Sequence, residues 1–112
     1  IDYVNLHGTA TPANDAAEGK AVAALFGDRV PCSSTKGATG HTLGAAGAVE
    51  AAICALALRD GLLPGSPGTV TADPATALQY VLNARPARLR HALSNSFGFG
   101  GSNCSLIFGV AP

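Results

Sequence analysis

The chain has 112 residues, of which 47% are apolar and 12% charged, whereas charged residues make up about 25% of an average globular protein. Its 7 basic and 7 acidic side chains cancel, so nothing in the composition attracts nucleic acid or an anionic membrane surface. The longest uncharged apolar run, residues 51–58, is far shorter than the ~20 residues of a membrane-spanning helix. We therefore expect neither a nucleic-acid nor a membrane partner, and we expect much of the apolar surface to pack against other protein.

The cysteines are widely spaced and form no CxxC pair: Cys32, Cys54 and Cys104. This pattern argues against a disulfide framework or a zinc site and predicts a reducing, cytoplasmic location. Cys54 and Cys104 are expected to be small buried side chains. Because the chain contains no methionine and begins within a predicted strand, we expect a fragment whose N-terminal part lies outside this sequence.

The first half of the chain predicts a strand, a helix and a second strand. The first strand ends at His7, and Asn14 or Asp15 is expected to cap a helix over residues 15–26. Residues 30–35 predict the second strand, which leads into the glycine-rich turn KGATGH. The small and apolar residues that share one side of the helix are Ala17, Ala21, Ala24 and Leu25.

The second half predicts a longer helix and a terminal hairpin. The helix covers residues 43–60, and a loop with prolines and glycines separates it from a weak strand near residues 79–83. Residues 91–97 and 102–110 predict antiparallel strands around the turn GFGG. The expected core face of the helix consists of Val49, Ile53 and Leu56. The order of elements predicts an α/β layered fold with helices packed on a sheet.

Two histidines, His7 and His41, lie in loops directly after predicted strands, where α/β sheets gather functional residues. His41 also precedes a predicted helix, whose partial positive charge disfavours an imidazolium. Two converging neutral imidazoles could each donate an N–H hydrogen bond to an oxygen that gains negative charge. Two unrelated structural histidines are equally compatible with the spacing. His91, beside Arg90, is expected to be a surface or packing residue.

Lys36 lies among small and apolar residues, and a lysine in such surroundings needs an anion or loses its charge. Glu18, on the helix after His7, is the expected partner, and an ordinary solvated lysine is the alternative. The tail NSFGFGGSNCSLIF has Asn103 where a dinucleotide-binding motif needs its last glycine. A hairpin turn explains the tail's glycines as well as a backbone oxyanion site does.

Three segments resemble the β-ketoacyl-acyl carrier protein synthases, the condensing enzymes of the thiolase superfamily: VNLHGTATPANDAAE, SSTKGATGHTLGAAGAVEA and SNSFGFGGSNCSLIFG. The resemblance implies the C-terminal half of the thiolase-like αβαβα layered fold. Residues 1–112 would then form the C-terminal domain, and the N-terminal half with the nucleophilic cysteine would be absent. HGTAT and ATGH favour the fatty-acid type over modular polyketide synthases.

The resemblance also implies the reaction, a decarboxylative condensation of malonyl-carrier with an acyl thioester to give a 3-oxoacyl product. His7 and His41 would support decarboxylation and stabilise the enolate, while Lys36 paired with Glu18 would hold the His41 loop. Phe99 would supply a backbone N–H to the oxyanion hole and gate the acyl pocket with its ring. The residues expected to bind substrate are Thr9, Thr11, Phe97 and Gly98.

None of the three cysteines matches the family's nucleophile, so the chain alone is expected to be an inactive part of an acyltransferase. The family needs no metal or organic cofactor, because the phosphopantetheine belongs to the acyl carrier protein. Expected partners are the acyl carrier protein, the N-terminal half of the same enzyme and a second copy in a homodimer. The alternatives are a ketosynthase of a polyketide or polyene pathway and a non-catalytic partner subunit like a chain-length factor.

Overall fold

A computed structural model describes residues 1–112. The chain forms two long helices, one short helix and seven strands, and two single 3-10 turns precede α3 and β7, at Leu43–Ala45 and Phe99–Gly101. In chain order the elements are β1 (Tyr3–Asn5), α1 (Pro12–Phe26), β2 (Pro31–Ser33), α2 (Lys36–Thr39), α3 (Ala46–Asp60), β3 (Leu62–Leu63), β4 (Gln79–Tyr80), β5 (Arg85–Pro86), β6 (His91–Phe97) and β7 (Asn103–Gly109). No helix combines the length and the apolar content needed to cross a membrane.

Five of the strands form one sheet in the order β4-β2-β1-β6-β7. β1 runs parallel to both β2 and β6, and β4 runs parallel to β2. β7 returns antiparallel to β6, which confirms the predicted terminal hairpin. Because the carboxyl ends of parallel strands meet at one edge, the loops after β1, β2 and β6 converge there. The residues expected to be functional that lie in the loops after β1 and β6 are His7, Thr9, Thr11, Gly98 and Phe99, while His41 follows the short helix α2 after β2.

The central strand β1 is covered on both faces, as the predicted α/β layers require. Successive side chains of β1 point to opposite faces: Tyr3 packs with Cys54 and Leu58 of α3. Val4 packs on the other face with Val22 of α1 and Cys32 of β2. Two separate apolar cores therefore hold the sheet between α1 and α3, and together they fix the loops at its carboxyl edge.

Helix α1 begins three residues earlier than predicted, so the assignment of Asn14 or Asp15 as its N-cap is wrong. Thr11 occupies the N-cap position in extended conformation, and Pro12 is the first helical residue. Proline is tolerated there because its missing N–H would have no partner inside the helix, and its fixed φ suits a helix start. The helix ends at Gly27, as expected, with the glycine at φ 59°.

The face of α1 that packs on the sheet differs from the one that the alanine spacing suggests. The predicted stripe faces outward, where Leu25 is 71% exposed, and its alanines 17, 21 and 24 are exposed too. The buried residues are Glu18, Gly19 and Val22. Gly19 lies so close to Thr76 that an added Cβ would meet its methyl group at 2.5 Å. The inner face is therefore the one that buries Val22 in the core and lets the segment between β3 and β4 approach closely at Gly19.

The predicted core face of α3 is also displaced. Leu56 is 47% exposed, and Val49 and Ile53 are only half-buried. The helix is apolar on nearly every side, so periodicity alone could not choose between faces. The residues that it buries are Ala46, Glu50, Cys54, Ala57 and Leu58.

Two smaller features also depart from the sequence interpretation. Cys54 is buried as expected, whereas Cys104 is exposed because β7 is an edge strand with almost no covered side chain. β3 and β5 form a separate two-stranded antiparallel ladder that the sequence did not reveal. Each of these strands has only two residues, too few for any alternation to show.

Candidate functional site

His7 lies two residues after the last residue of β1, Asn5, and is 6% exposed. Its backbone N–H donates to Glu18 Oε1 at 2.8 Å, and the N–H of Gly8 donates to Glu18 Oε2 at 2.9 Å. Gly8 has φ 43°, and a Cβ there would lie 2.5 Å from that of Ser34. The Ser34 hydroxyl donates to the Gly8 carbonyl at 2.7 Å. The chain therefore turns sharply after the strand and presents the imidazole at the edge of the sheet.

Lys36, at the start of α2, holds the same turn from the other side. Its ammonium donates to the His7 carbonyl oxygen at 2.6 Å and lies 3.5 Å from His7 Nδ1. It also forms a buried ion pair with Glu50 of α3. The expected pair of Lys36 with Glu18 is therefore wrong.

The reason for this difference is that the Glu18 carboxylate is already occupied by donors other than lysine. Besides the two backbone N–H groups, the side-chain amides of Asn14 and Asn95 donate to it, at 3.4 and 3.3 Å. Burial raises the pKa of Glu18 above its ordinary value, and the hydrogen bonds from Gly8 and His7 oppose that shift. Glu18 thus shapes the backbone under His7, while a second carboxylate neutralises the lysine.

Glu50 is a site residue that the sequence interpretation missed. A signal for it exists, because Glu50 is the one charged residue between Lys36 and Arg59. A single carboxylate in such an apolar helix must be paired if it is buried, and Lys36 is the nearest cation before it in the sequence.

The environment of His7 keeps its imidazole neutral. Burial lowers the pKa of His7 below its ordinary value of 6.5, and the nearby charges of Lys36 and His41 lower it further. An ammonium group beside Nδ1 favours that nitrogen as the acceptor. The proton of neutral His7 then resides on Nε2, where it can be donated to a substrate oxygen.

His41 is exposed and lies in the loop between α2 and the 3-10 turn that leads into α3. The backbone N–H of Leu43 donates to His41 Nδ1 at 3.3 Å, so Nε2 again carries the proton. The rings of His7 and His41 lie 5.4 Å apart between centroids, nearly perpendicular at 88°. The two imidazole rings are therefore close enough to serve one reacting group.

The loops that carry the two histidines each contain a residue in left-handed backbone conformation that is not glycine. Ala10 has φ 61° and Leu43 has φ 53°. Such a conformation costs of order 1 kcal/mol or more for an alanine or leucine, and it persists where the surrounding structure enforces it. The strain lies three residues after His7 and two residues after His41, where the chain changes direction around the imidazoles.

A cleft of about 520 Å³ opens in front of the two rings. Seven of the nine expected site residues line it: His7, Thr9, Thr11, His41, Phe97, Gly98 and Phe99. The hydroxyls of Thr9 and Thr11 are hydrogen-bonded to each other at 2.8 Å at its rim. Lys36 and Glu18 do not line this cleft. Both hold the backbone of the His7 turn, and Lys36 also acts on the His7 ring through its ammonium group beside Nδ1.

The phenylalanines of the terminal turn differ in their surroundings. Phe97, at the end of β6, packs edge-on against His7 with centroids 5.5 Å apart. Phe99, two residues later, is fully exposed. The N–H of Gly98 donates to the Ser102 carbonyl at 2.8 Å, so this N–H is engaged in the turn and is not free for substrate.

No cysteine lines the cleft. Burial raises the pKa of Cys32 to about 12 and that of Cys54 to about 11, so both are thiols at neutral pH. Four buried side-chain oxygens lack hydrogen-bond partners: Asn5 Oδ1, Glu50 Oε2, Ser66 Oγ and Ser94 Oγ.

The chain matches proteins whose function is described. Residues 1–69 fit the profile of the beta-ketoacyl synthase C-terminal domain. The chain is 46% identical over 111 residues to 3-oxoacyl-[acyl-carrier-protein] synthase 2 of Coxiella burnetii, and the match covers 96% of this chain and 27% of that protein. The chain therefore spans about a quarter of the length of this relative.

Solved structures agree with the sequence match. A beta-ketoacyl synthase from Burkholderia phymatum superposes with a TM-score of 0.94 at 42% identity, over 100% of this chain and 28% of that one. The ketosynthase ApeO of Xenorhabdus doucetiae, solved in complex with its chain length factor ApeC, superposes with a TM-score of 0.91 at 48% identity, over 99% and 29% of the two chains. The fold is thus that of the ketosynthases, and the chain belongs to the beta-ketoacyl synthase family.

Proposed function

We propose that this chain is the C-terminal, histidine-bearing part of a 3-oxoacyl-[acyl carrier protein] synthase of fatty acid biosynthesis. The observation that carries the proposal is the convergence of His7 and His41 on one cleft, each with Nδ1 engaged as an acceptor. Two Nε2–H donors suit an oxygen that becomes negative during the reaction. The name of the relative from Coxiella burnetii supports a carrier-bound substrate.

The chemistry starts with malonyl-carrier bound so that its thioester oxygen faces the two Nε2–H groups. Loss of carbon dioxide leaves its electron pair on the α-carbon, and the charge passes to the thioester oxygen as an enolate. The two imidazoles stabilise that oxygen by hydrogen bonding. The α-carbon then attacks an acyl thioester held on a cysteine, a carbon–carbon bond forms, and the cysteine leaves as a thiolate. The product is a 3-oxoacyl-carrier two carbons longer.

The cysteine in this scheme is proposed to lie outside the chain. Cys32 and Cys54 are buried thiols with raised pKa values, and Cys104 belongs to an edge strand. A nucleophilic cysteine instead needs an electropositive, partly exposed setting that lowers its pKa. The N-terminal half of the enzyme, a homodimeric arrangement and a cytoplasmic location complete the proposal. Phosphopantetheine would enter on the carrier, with Thr9 and Thr11 at the rim of the cleft as its binding residues.

A second candidate is a ketosynthase of a polyketide or polyene pathway that works with a chain-length-factor subunit. It is supported by the 48% identity to ApeO, a ketosynthase in complex with its chain length factor. Both candidates use the same two histidines. A non-catalytic partner subunit is less well supported, because such a subunit would not need two converging imidazoles in a cleft.

The test is an assay of the full-length protein with acyl-carrier and malonyl-carrier, monitored by mass spectrometry of the carrier-bound products. A fatty-acid-type synthase should form a single 3-oxoacyl species and carbon dioxide in equal amounts without any partner subunit. Activity that appears only after a chain-length-factor subunit is added would favour the second candidate. Absence of condensation and of malonyl decarboxylation under both conditions would refute the proposed enzyme function.

A further inference from the structure

Ser105 lies on the edge strand β7, directly opposite Asn95 of β6 in the ladder. Its hydroxyl donates to Asn95 Oδ1 at 2.8 Å. Asn95 is 7% exposed, whereas Ser105 belongs to the exposed row of the strand. A surface hydroxyl thus contacts a buried side-chain amide, and this amide in turn lies beneath the candidate site.

The contact continues inward to the backbone of His7. Asn95 Nδ2 donates to Glu18 Oε1 at 3.3 Å, and the Glu18 carboxylate accepts the N–H groups of His7 and Gly8 at 2.8 and 2.9 Å. Three successive hydrogen bonds therefore connect the Ser105 hydroxyl with the peptide groups that orient the His7 imidazole.

The direction of each bond in this series matters. An amide can present either its oxygen or its nitrogen to a given neighbour. In the observed orientation the amide oxygen of Asn95 accepts from Ser105, and its NH₂ group faces the Glu18 carboxylate. The reverse orientation would place the amide oxygen against a carboxylate oxygen, two acceptors without a proton between them. Because the Ser105 hydroxyl can donate or accept, the Glu18 carboxylate selects the orientation of the amide, and the Ser105 hydroxyl then holds the amide oxygen in that position.

We propose that Ser105 is a positioning residue, whose hydroxyl fixes the Asn95 amide and, through Glu18, the backbone turn that presents His7. The catalytic consequence rests on the proposed function, since it assumes that His7 stabilises the enolate. The structural consequence does not depend on the proposed function, since it concerns only the hydrogen bonds of the His7 and Gly8 backbone amides. These two consequences can be measured separately.

The experiment compares Ser105→Ala and Ser105→Thr with the wild type in the full-length protein. Ser102→Ala, which removes an exposed hydroxyl from the same hairpin, serves as the matched control. In Ser105→Ala we expect the amide hydrogens of His7 and Gly8 to exchange with solvent roughly two- to tenfold faster than in the wild type. This factor corresponds to the loss of one net hydrogen bond. We expect kcat to fall by a similar factor while KM for the carrier-bound substrate stays constant. Ser105→Thr retains a hydroxyl and should restore both values.

Unchanged amide exchange and unchanged kcat in Ser105→Ala would overturn the proposal, as would an equal loss in Ser105→Thr or in Ser102→Ala. A wild-type protein that neither decarboxylates nor condenses would instead refute the proposed function. In that case the amide exchange of His7 and Gly8 still decides whether Ser105 positions the turn.

Discussion

The ammonium nitrogen of Lys36 lies 2.6 Å from the main-chain carbonyl oxygen of His7 and forms an ion pair with Glu50 of α3. One buried cation thus joins the loop after β1, the start of α2 and the middle of α3. Glu18 accepts the backbone N–H groups of the His7 turn, and the Lys36 ammonium donates to its carbonyl oxygen. The position of the imidazole therefore depends on residues that never face the cleft.

The ion pair should be costly to break from one side. Glu50→Gln leaves the Lys36 ammonium buried without an anion, so we expect the free energy of unfolding to fall by about 3–5 kcal/mol. Urea unfolding of the full-length protein measures this change. The double variant Lys36→Met with Glu50→Leu should recover much of the loss, because two apolar side chains replace two charges.

The exposed pair of Arg59 and Asp60 provides the control for this prediction. Asp60→Asn removes a surface ion pair that solvent screens, and the unfolding midpoint should not move. Equal effects of Glu50→Gln and Asp60→Asn would contradict the view that burial makes the Lys36–Glu50 pair important.

His7 should titrate below the ordinary histidine pKa of 6.5. Its folded-state pKa lies below the unfolded value, so the unfolded chain binds the additional proton first as pH falls. Stability from this group is therefore complete above pH 6.5 and declines as pH drops below it. Nuclear magnetic resonance titration, with His7→Gln to assign the signal, measures the midpoint. A midpoint at or above 6.5 would contradict the buried, cation-flanked environment of this ring.

Gly37 should not tolerate a side chain. A Cβ at this position would lie 1.8 Å from the carbonyl oxygen of Pro67, so either α2 or the loop after β3, which contains Pro67, must move. We expect Gly37→Ala to destabilise the protein by about 1–3 kcal/mol and to reduce activity by displacing Lys36. Ala38→Ser, an exposed substitution one residue later, is the control in thermal unfolding and should behave like the wild type. A Gly37→Ala variant as stable as the wild type would show that the loop around Pro67 does not restrain α2.

Cys32 and Cys54 should resist alkylation in the native protein. Burial raises the pKa values of both thiols to about 12 and 11, and the thiolate is the reactive form. Iodoacetamide at neutral pH followed by peptide mass mapping should find both residues unmodified, and both modified after denaturation in urea. Rapid native labelling of either residue together with loss of activity would contradict their structural role.

The order of the main elements and the location of the site could be predicted because they depend on local signals. The strand before His7, the long helix and the terminal hairpin each show in the sequence, and the loops after β1, β2 and β6 do converge. The inner faces of the helices could not be predicted. Both long helices are small and apolar on several sides, so the contact of Gly19 with Thr76 and the pairing of Glu50 decide their orientation.

The partner of Lys36 illustrates the same limit at the site. Glu18 and Glu50 both lie within reach along the sequence, and only the three-dimensional structure shows that backbone N–H groups occupy Glu18. Residue types and spacing identify which side chains gather at an edge. Which donors bind Glu18 and which bind Glu50 is decided only when the chain is packed, because the backbone N–H groups and Lys36 are far from these carboxylates in the sequence.

Decarboxylation of malonyl-carrier by the full-length His41→Ala variant tests the central claim most directly. His91→Ala, which removes an exposed histidine from the opposite end of β6, is the matched control. If the His41 Nε2–H stabilises the enolate oxygen, its loss should slow decarboxylation by about 10²–10³-fold, while His91→Ala remains at the wild-type rate. A His41→Ala variant that releases carbon dioxide at near the wild-type rate would contradict the role assigned to the two converging imidazoles.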